Sequence, residues 1–531
     1  MPGSVRSLVR DLSDQNSWRL PVPSSDPLSS PSIDKFPGST TDAVYQNLGV
    51  RPIINCTATR TSFGGSNPTQ NVLDAMSAAA RAFVDLDELA EAVGAQIGRL
   101  ANAQWGVVTA GSTAALALAA AACIAGGDPE IMLRLPDTTD LPNGIIVFKT
   151  HRFAYDMVMR QVGAKLIEVS NQRELNDALS REPVMICLLA RAENEGFVQL
   201  ENLKEQASGI PIVVDAASCA PKSLDPWIAR GADLVIYSGG KCLRGPQSSG
   251  FLIGRKDLCQ AAWLNGPPHY SIGRGMKVGK EEIVGAVTAL EDWLSGRTRV
   301  DEDYWLSLLD TIAKPLSKFS IVREVLPANQ SFGQIAPRLR LSWPSESIVS
   351  GAALCKSILE RHRVKLQDFW VAGSSIIIDP LSIQSPAEAE TVGYALAEAF
   401  DAELNASQSI PENTAPRWDA TGEWRLVVDY LHRRSFHELK LKQQCDGLVA
   451  GVHHGRFGSG TVAGAVIGNA ITLHSQISCG PLQLFFEFSG ALSEGAVQGV
   501  VTTGAAMEEH IGSDLCSQFG KGSWNGVRLG C

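Results

Sequence analysis

The sequence lacks the features of a protein that binds nucleic acid or lies in a membrane. Only 19 % of its 531 residues are charged, and the formal net charge of −10 is opposite to the basic excess that nucleic acids select. The longest apolar run, which contains Leu116 to Ala125, is too short to cross a bilayer. The N-terminal residues carry arginines but no apolar signal-peptide core. These absences predict a cytoplasmic protein without a nucleic-acid or membrane partner.

The cysteine pattern excludes two further classes of protein. There are 11 cysteines, an odd number, and no two of them form a CxxC pair. Neither a zinc site nor a disulfide framework is therefore indicated. We interpret the cysteines as buried free thiols in a reducing compartment and expect no metal site.

The sequence does contain several regions that differ in composition and in the pattern of their apolar residues. Residues 1–41 are rich in Ser, Pro and Asp, which predicts a disordered or extended arm. Residues 42–297 alternate short β-branched runs with helix-length segments, which is typical of an α/β large domain with a mainly parallel sheet. The runs are GVVTA (106–110), GIIVFK (144–149), PVMICLLA (183–190), IPIVVDAA (210–217) and DLVIYSGG (233–240).

The remaining residues predict two further domains. Residues 298–405 combine strand-like segments with a strongly helical one, which favours a small α+β domain. After a linker at 406–420, residues 421–531 show short alternating segments separated by glycines, which predicts an antiparallel β-barrel or sandwich. The stretch from about Ser513 to Cys531 does not resemble a usual final strand.

Asp215 and Lys241 form the first candidate site. Asp215 ends one predicted strand, and Lys241 follows the next strand after two glycines, so a βαβ unit brings both to one edge of the sheet. Pyridoxal 5′-phosphate (PLP) chemistry needs this pair, because the lysine forms a Schiff base and the carboxylate keeps the pyridine nitrogen protonated. A lone GGK is also typical of a surface lysine in a turn.

A phosphate site is indicated by Gly111, Ser112 and Thr113, which stand between a predicted strand and an alanine-rich helix. Free N–H groups at a helix N-terminus bind anions, and the two hydroxyls add donors. Ser238 and Gly240, just before Lys241, add a hydroxyl and room for close backbone approach. The alternative for Ser112 and Thr113 is an ordinary helix cap.

Other candidate residues are a histidine and a group of cations. His151 follows the strand GIIVFK and could stack on a pyridine ring, or be a loop histidine bonded to backbone. Arg152 and Tyr155 follow His151 closely and could bind polar groups of a substrate. Further arginines and lysines could bind the substrate carboxylate, or they could be ordinary solvated charges. These further residues are Arg274, Lys277, Arg338 and Arg340. Strand alternation puts Arg338 and Arg340 on one face, so the sequence does not choose between them.

Several blocks of the sequence together closely resemble one family. They are YQNLGVRPIINCTAT, FVDLDELAEAVGAQIGRL, LPDTTD, SGGKCLRGPQSSG and GRGMKVGKEEIVGAVTALE. The family is the selenocysteine-synthase-like PLP-dependent family, in particular the branch of D-glucosaminate-6-phosphate ammonia-lyase. The resemblance runs from Tyr45 to about residue 400 and looks continued by the β domain. It departs at Phe153–Ala154, where relatives tend to have Asn–Gly.

The resemblance implies fold type I (aspartate-aminotransferase-like) and a role for each candidate residue. Lys241 would be the Schiff-base lysine and acid/base, Asp215 the partner of the pyridine nitrogen, and His151 the stacking ring. Gln247 would reach a neighbouring subunit's cofactor, because family sites lie at the interface of a homodimer or higher homo-oligomer. Arg274 and Lys277 would face the anionic end of the substrate.

The expected reaction is that of a PLP-dependent lyase. It would remove the α-proton of an amino acid or amino-sugar acid, eliminate a β-substituent, and release ammonia and a 2-oxo acid. A racemase, epimerase or aldol-type enzyme is the alternative, with Tyr155 or Cys242 as the second acid/base of a racemase. A PLP-fold scaffold with a ligand-binding β domain is the non-enzyme alternative. The exact substrate, the stereochemistry and the role of the β domain are left open by the sequence.

Overall fold

The computed structural model describes residues 44–529 except 208, 221–222, 225, 299, 330–334, 345–350, 367–373, 408–414, 494 and 508–516. The predicted arm at 1–41 lies outside the described residues. The chain divides into two compact units, residues 1–52 and 53–531. In the first unit, the described residues 44–52 are exposed and begin with a helical turn.

A seven-stranded sheet forms the centre of the large domain. The first eight strands of the chain are β1 (Ile54–Asn55), β2 (Trp105–Thr109), β3 (Gly144–Phe148), β4 (Lys165–Val169), β5 (Met185–Leu189), β6 (Ile212–Asp215), β7 (Leu234–Ser238) and β8 (Gly250–Gly254). The sheet order is β2-β8-β7-β6-β5-β3-β4, and only β8 runs antiparallel to its neighbours. This confirms the prediction of a mainly parallel sheet, whose five predicted strands all form.

Helices cover both faces of this sheet. They are α1 (Gln70–Ala80), α2 (Leu86–Ala101), α3 (Ser112–Ala125), α4 (Pro129–Arg134), α5 (Met157–Gln161), α6 (Gln172–Leu179), α7 (Leu200–Gln206), α8 (Pro226–Ala229), α9 (Lys256–Leu264) and α10 (Lys280–Leu294). Two hydrophobic cores result, one on each face of the sheet. Helix α3 is buried on nearly all sides, because its residues are alanine and leucine all round.

The small domain is α+β, as predicted. Its elements are α11 (Glu302–Ala313), α12 (Gly351–His362), α13 (Pro386–Ser407), β9 (Val322–Leu326), β10 (Arg338–Ser342), β11 (Val364–Lys365) and β12 (Ser375–Ile378). Strand β10 lies between β12 and β9 in an antiparallel sheet, and its Leu339 and Leu341 enter the core. Strand β11 pairs in parallel with β1, which ties the start of the second unit to this domain.

A closed eight-stranded antiparallel barrel follows. Its strands are β13 (Gly422–Asp429), β14 (Arg434–Gln443), β15 (Leu448–His454), β16 (Ser459–Ile467), β17 (Ala470–Cys479), β18 (Leu482–Ser493), β19 (Ala496–Met507) and β20 (Ser517–Leu529). Alternate residues such as Trp424, Leu426 and Val428 point into its core, as their spacing predicts.

The expectation about the last stretch was wrong. Residues 517–529 form β20, which closes the barrel by pairing with both β19 and β13. Its inward positions include Trp524 and Gly526, and the small glycine weakens the alternation of apolar and polar residues that marks a strand. Among the helices that the structure describes, none has the length and apolar composition needed to cross a membrane.

Candidate active site

The sheet topology gathers the candidate residues at one edge. Strands β3, β5, β6 and β7 are parallel, and β2 shares their direction because β8 is antiparallel to both β2 and β7. The carboxyl ends of these strands therefore meet, which is where open α/β sheets bind ligands. The register places Leu189, Asp215 and Ile236 in one row across β5, β6 and β7.

Asp215 and Lys241 interact across this edge. The Asp215 side chain is buried, and its Oδ1 accepts a hydrogen bond from the N–H of Ala217 at 3.0 Å. Burial raises the pKa of Asp215, while that N–H and the charge of Lys241 oppose the rise. Burial also lowers the pKa of Lys241, and Asp215 opposes this change. Only the unprotonated amine of a lysine attacks an aldehyde, and a lowered pKa makes this form more abundant.

The loop between β7 and β8 carries Lys241 and is called the lysine loop here. A segment far away in sequence, around Gly65 and Ser66, packs against it. The N–H of Ser66 donates to the carbonyl oxygen of Gly240 at 3.0 Å. A Cβ on Gly65 would lie 2.8 Å from the same oxygen, and Gly65 has a φ of +74°, so glycine is required here. Gln247 is exposed, and its Nε2 donates to the carbonyl oxygen of Thr61 at 2.7 Å within its own chain. Its expected contact with a neighbouring subunit stays a prediction.

The geometry around Gly111, Ser112 and Thr113 suits a phosphate. Gly111 has a φ of +98° and no side chain caps the N-terminus of α3, so no side-chain oxygen occupies its first N–H groups. Gly250 lies directly opposite, where a Cβ would be 2.5 Å from the nitrogen of Ser112. Ser238 pairs with Gly250, so Ser238, which has a hydroxyl group, lies in the same row of the sheet. The open space next to uncapped amides is a cradle for an anion.

His151 is buried beside this edge as a neutral ring. Its Nδ1 accepts a hydrogen bond from the N–H of Leu189 at 3.2 Å, which leaves the ring proton on Nε2. Burial lowers the pKa of His151 to about 4. Tyr155 is half-exposed, and its pKa is raised by burial and by the negative charge of Asp215. Phe153 packs in the core and contacts the Tyr155 ring edge-on at 6.1 Å between centroids.

Phe153 is buried in the core on one face of the sheet, whereas Tyr155 is the aromatic side chain of this loop that remains accessible.

The arginines differ in how fully they are paired. Arg152 forms ion pairs with Asp156 at 2.5 Å and Glu168 at 2.6 Å, which favours a structural role, and we leave it out of the proposed site. Arg340 pairs with Glu324 at 3.0 Å on the outside of β10.

Two other arginines keep polar atoms without partners. The Nε atoms of Arg338 and Arg274 are buried and have no hydrogen-bond partner among the described residues. Lys277 is exposed. Of the two arginines that the sequence could not distinguish, Arg338 is thus the better candidate for a substrate carboxylate.

Arg191 is a candidate site residue that the sequence analysis missed. It follows β5 by two residues, in a 3₁₀ helix at Ala190–Glu195, beside the row that contains Asp215. Burial has the largest effect on the pKa values of His151, Asp215 and Lys241, and the charge of Arg191 also lowers all three. The rule that identified Asp215, a polar residue at a strand end, also applies to Arg191.

The chain is similar to several characterised proteins, although no protein-family model matches it. It is 33 % identical over 273 residues to D-glucosaminate-6-phosphate ammonia lyase from Salmonella typhimurium, covering 49 % of this chain and 72 % of that one. It is 31 % identical over 379 residues to 5′-C-glycyluridine monooxygenase-decarboxylase from a Streptomyces species, covering 68 % and 93 %. An L-seryl-tRNA(Sec) selenium transferase from Geotalea daltonii is 25 % identical, covering 44 % and 52 %.

The chain belongs to the selenocysteine-synthase-like family of PLP-dependent enzymes. The solved structure of D-glucosaminate-6-phosphate ammonia-lyase agrees, with a TM-score of 0.60 at 26 % identity, covering 68 % of this chain and 98 % of that one. This member of the family therefore has fold type I and depends on pyridoxal 5′-phosphate.

The residues present in the structure fit this cofactor. Asp215 is buried, Lys241 is half-buried, and the charge of each affects the pKa of the other, as a pair that binds the pyridine nitrogen and the aldehyde requires. The open space around Gly111, at the uncapped N-terminus of α3, suits a phosphate, and the Nε2 of buried His151 has no hydrogen-bond partner among the described residues.

Proposed function

We propose that this protein is a PLP-dependent lyase that acts on an amino acid or amino-sugar acid. It removes the α-proton, eliminates a β-substituent, and releases ammonia and a 2-oxo acid. The observation that carries the proposal is the pair of buried Asp215 and half-buried Lys241, because desolvation shifts the pKa of both groups and each charge opposes the shift of the other. Similarity to an ammonia lyase supports it at the level of the reaction class.

Bound PLP supplies an electron-accepting ring that stabilises negative charge at the substrate's Cα. In our proposal, the Asp215 carboxylate holds a proton on the pyridine nitrogen, which keeps the ring electron-poor. The phosphate would be held by the N–H groups at the start of α3 and by the hydroxyls of Ser112, Thr113 and Ser238, with Gly111 and Gly240 allowing close approach. The flat, neutral ring of His151 would contact the cofactor.

Lys241 is the proposed proton carrier. Its lowered pKa favours the unprotonated amine, which would take the α-proton of the substrate. The positive charge of Arg191 favours the same form. The substrate carboxylate would be held by Arg338, whose Nε has no partner among the described residues, with Arg274 and Lys277 facing the anionic end. A held carboxylate would fix the orientation of the bonds at Cα.

An oxidative decarboxylase is the second candidate. Its support is the Streptomyces relative, which aligns over 93 % of its own length. In that case the carboxylate would leave as carbon dioxide and dioxygen would be the oxidant. A racemase is less well supported, because burial raises the pKa of the Cys242 thiol to about 12, and a thiol that holds its proton so firmly is a poor second base.

A panel of amino acids and amino-sugar acids, added to the PLP-loaded protein, tests the proposal. Equal amounts of ammonia and 2-oxo acid, without consumption of dioxygen, would support the lyase. Release of carbon dioxide with uptake of dioxygen would establish the decarboxylase instead. Deuterium incorporation at Cα without release of ammonia would establish the racemase. A protein that shows no cofactor absorbance after PLP is supplied would favour a scaffold whose β domain binds a ligand or partner.

A further inference from the structure

Arg244 has a backbone conformation that arginine rarely adopts. Its φ is +58°, in the left-handed region, and its N–H donates to the carbonyl oxygen of Lys241 at 3.0 Å to close a turn. Glycine or asparagine would occupy this conformation at lower cost, because a larger L side chain crowds the backbone there. Residues in this conformation cluster at active sites and ligand-binding sites.

The side chain of Arg244 is a cation without a carboxylate. Its Nε donates to the carbonyl oxygen of Asn67 at 3.0 Å, and no acidic side chain among the described residues forms an ion pair with it. Burial lowers the pKa of Arg244, and no acid offsets this effect. A partly buried guanidinium without a counter-charge is unfavourable unless an anion binds to it.

Ser66 provides a second polar group at the same place. Its side chain is 7 % exposed, and its Oγ has no hydrogen-bond partner among the described residues. Its own N–H binds Gly240, the residue before Lys241, and the next residue, Asn67, binds Arg244. Two neighbouring residues, Ser66 and Asn67, thus bind two points of the lysine loop, Gly240 and Arg244.

We infer that Ser66 and Arg244 form a subsite for an oxyanion, a phosphate or a second carboxylate, carried by the substrate away from its reacting amino group. This inference rests on the proposed function, because it places the subsite next to the catalytic lysine. A guanidinium offers a planar pair of donors to such a group, and a hydroxyl adds a third donor. The substrate would therefore be an amino acid with an additional anionic group, not a simple neutral one.

Calorimetric titration of the PLP-loaded protein tests the subsite. Inorganic phosphate and malonate are added separately in a buffer free of both, so that the two kinds of oxyanion are distinguished. We expect at least one of them to bind, Arg244→Gln to weaken that binding about tenfold or more, and Ser66→Ala to weaken it several-fold. Arg244→Lys keeps the charge but loses the planar fork and should be intermediate. Failure of the wild type to bind either anion, or equal binding by Arg244→Gln, would overturn the inference.

A stability measurement separates a binding role from a structural one. Arg244→Gly relieves the left-handed strain, so its melting temperature should equal or exceed that of the wild type while anion binding is lost. A lower melting temperature would mean that the guanidinium serves the fold, and the inference would fail. Arg363→Gly is the matched control, because Arg363 has a φ of +57° but directly follows helix α12, a usual place for that conformation. It should leave anion binding unchanged.

The cofactor spectrum keeps this inference separate from the proposed function. If all variants take up PLP and show its absorbance, but the wild type releases ammonia without binding either anion, the subsite is wrong and the lyase stands. If PLP does not bind at all, the proposed function fails first.

Discussion

The large domain and the barrel both bury polar side chains, but they do so in opposite ways. At the sheet edge, Asp215 and Lys241 are groups of opposite charge that shift each other's pKa, and His151 Nε2 has no partner among the described residues. In the barrel, both ring nitrogens of the fully buried His453 are hydrogen-bonded, to His437 Nδ1 at 2.8 Å and to Ser475 Oγ at 2.6 Å, and His437 Nε2 is the one histidine nitrogen of this pair without a partner among the described residues. A fully paired group such as His453 specifies a fold, whereas two opposite charges beside an unpaired ring suit a ligand.

The barrel network is also neutral. Burial lowers the pKa of His437 to about 4 and that of His453 to about 3. Both rings pack edge-on against Phe486, in an apolar layer that penalises charge. We therefore expect changes at the sheet edge to affect chemistry more than folding, and changes in the barrel to affect folding more than chemistry.

Lys241→Ala should give the largest effect. Without the amine, the protein loses both the covalent link to PLP and the proton carrier, so activity should fall by about three orders of magnitude or more. The absorbance of the bound cofactor should move to that of free PLP, while the melting temperature of the apoprotein stays close to that of the wild type. Retained activity in this variant would contradict the assignment of Lys241.

Asp215→Asn should have the second largest effect on activity. An amide cannot hold a proton on the pyridine nitrogen, so we expect a loss of about 100-fold or more in kcat. The same change removes a buried charge, so the free energy of unfolding of the apoprotein should be unchanged or higher. Parallel losses of activity and stability would show that Asp215 serves mainly the fold.

His453→Leu should lower stability but leave cofactor binding unchanged, the reverse of the two preceding variants. It leaves the His437 Nδ1 and the Ser475 hydroxyl without their buried partner, which costs about 2–4 kcal/mol of stability. Hydrogen exchange of peptides from β14, β15 and β17 measures this locally. The cofactor absorbance should not change. A matched control is His454→Leu, since His454 is exposed and points to the other side of β15.

Acid should destabilise the barrel through the same pair of histidines. In the unfolded chain their pKa values are near the usual 6.5, so between pH 6.5 and pH 4 the unfolded chain binds protons that the native barrel does not. Stability is therefore full above pH 6.5 and falls with decreasing pH, by about 1.4 kcal/mol per pH unit for each histidine. Unfolding of the wild type and of a His437→Leu, His453→Leu double variant, followed from pH 7 to pH 4.5, should show a shallower pH dependence in the variant. Equal slopes would mean that these histidines do not stay neutral.

The sequence predicted which residues of the candidate site the strand ends bring to one edge of the sheet. Asp215, Lys241 and His151 each follow a buried apolar run, and parallel strands bring such positions together without any knowledge of loops. Ser66 and Arg244 were missed because their proximity depends on a loop that folds back from a distant part of the chain, as in the bond between Thr61 and Gln247, 186 residues apart. Strand alternation likewise placed Arg338 and Arg340 on one face but carried no information about Glu324 on the neighbouring strand.

Arg340→Gln should have the smallest effect, and its comparison with Arg338→Gln tests the choice between the two arginines. Arg340 and Glu324 are both well exposed, so solvent screens their attraction and the loss should be below about 1 kcal/mol of stability. KM should not change, because the guanidinium is already paired with a carboxylate. Arg338→Gln should instead raise KM about tenfold, since it removes a charged donor from the substrate carboxylate. If Arg340→Gln raised KM and Arg338→Gln did not, the ion pair with Glu324 would have to open when substrate binds, and the assignment of the two arginines would be exchanged.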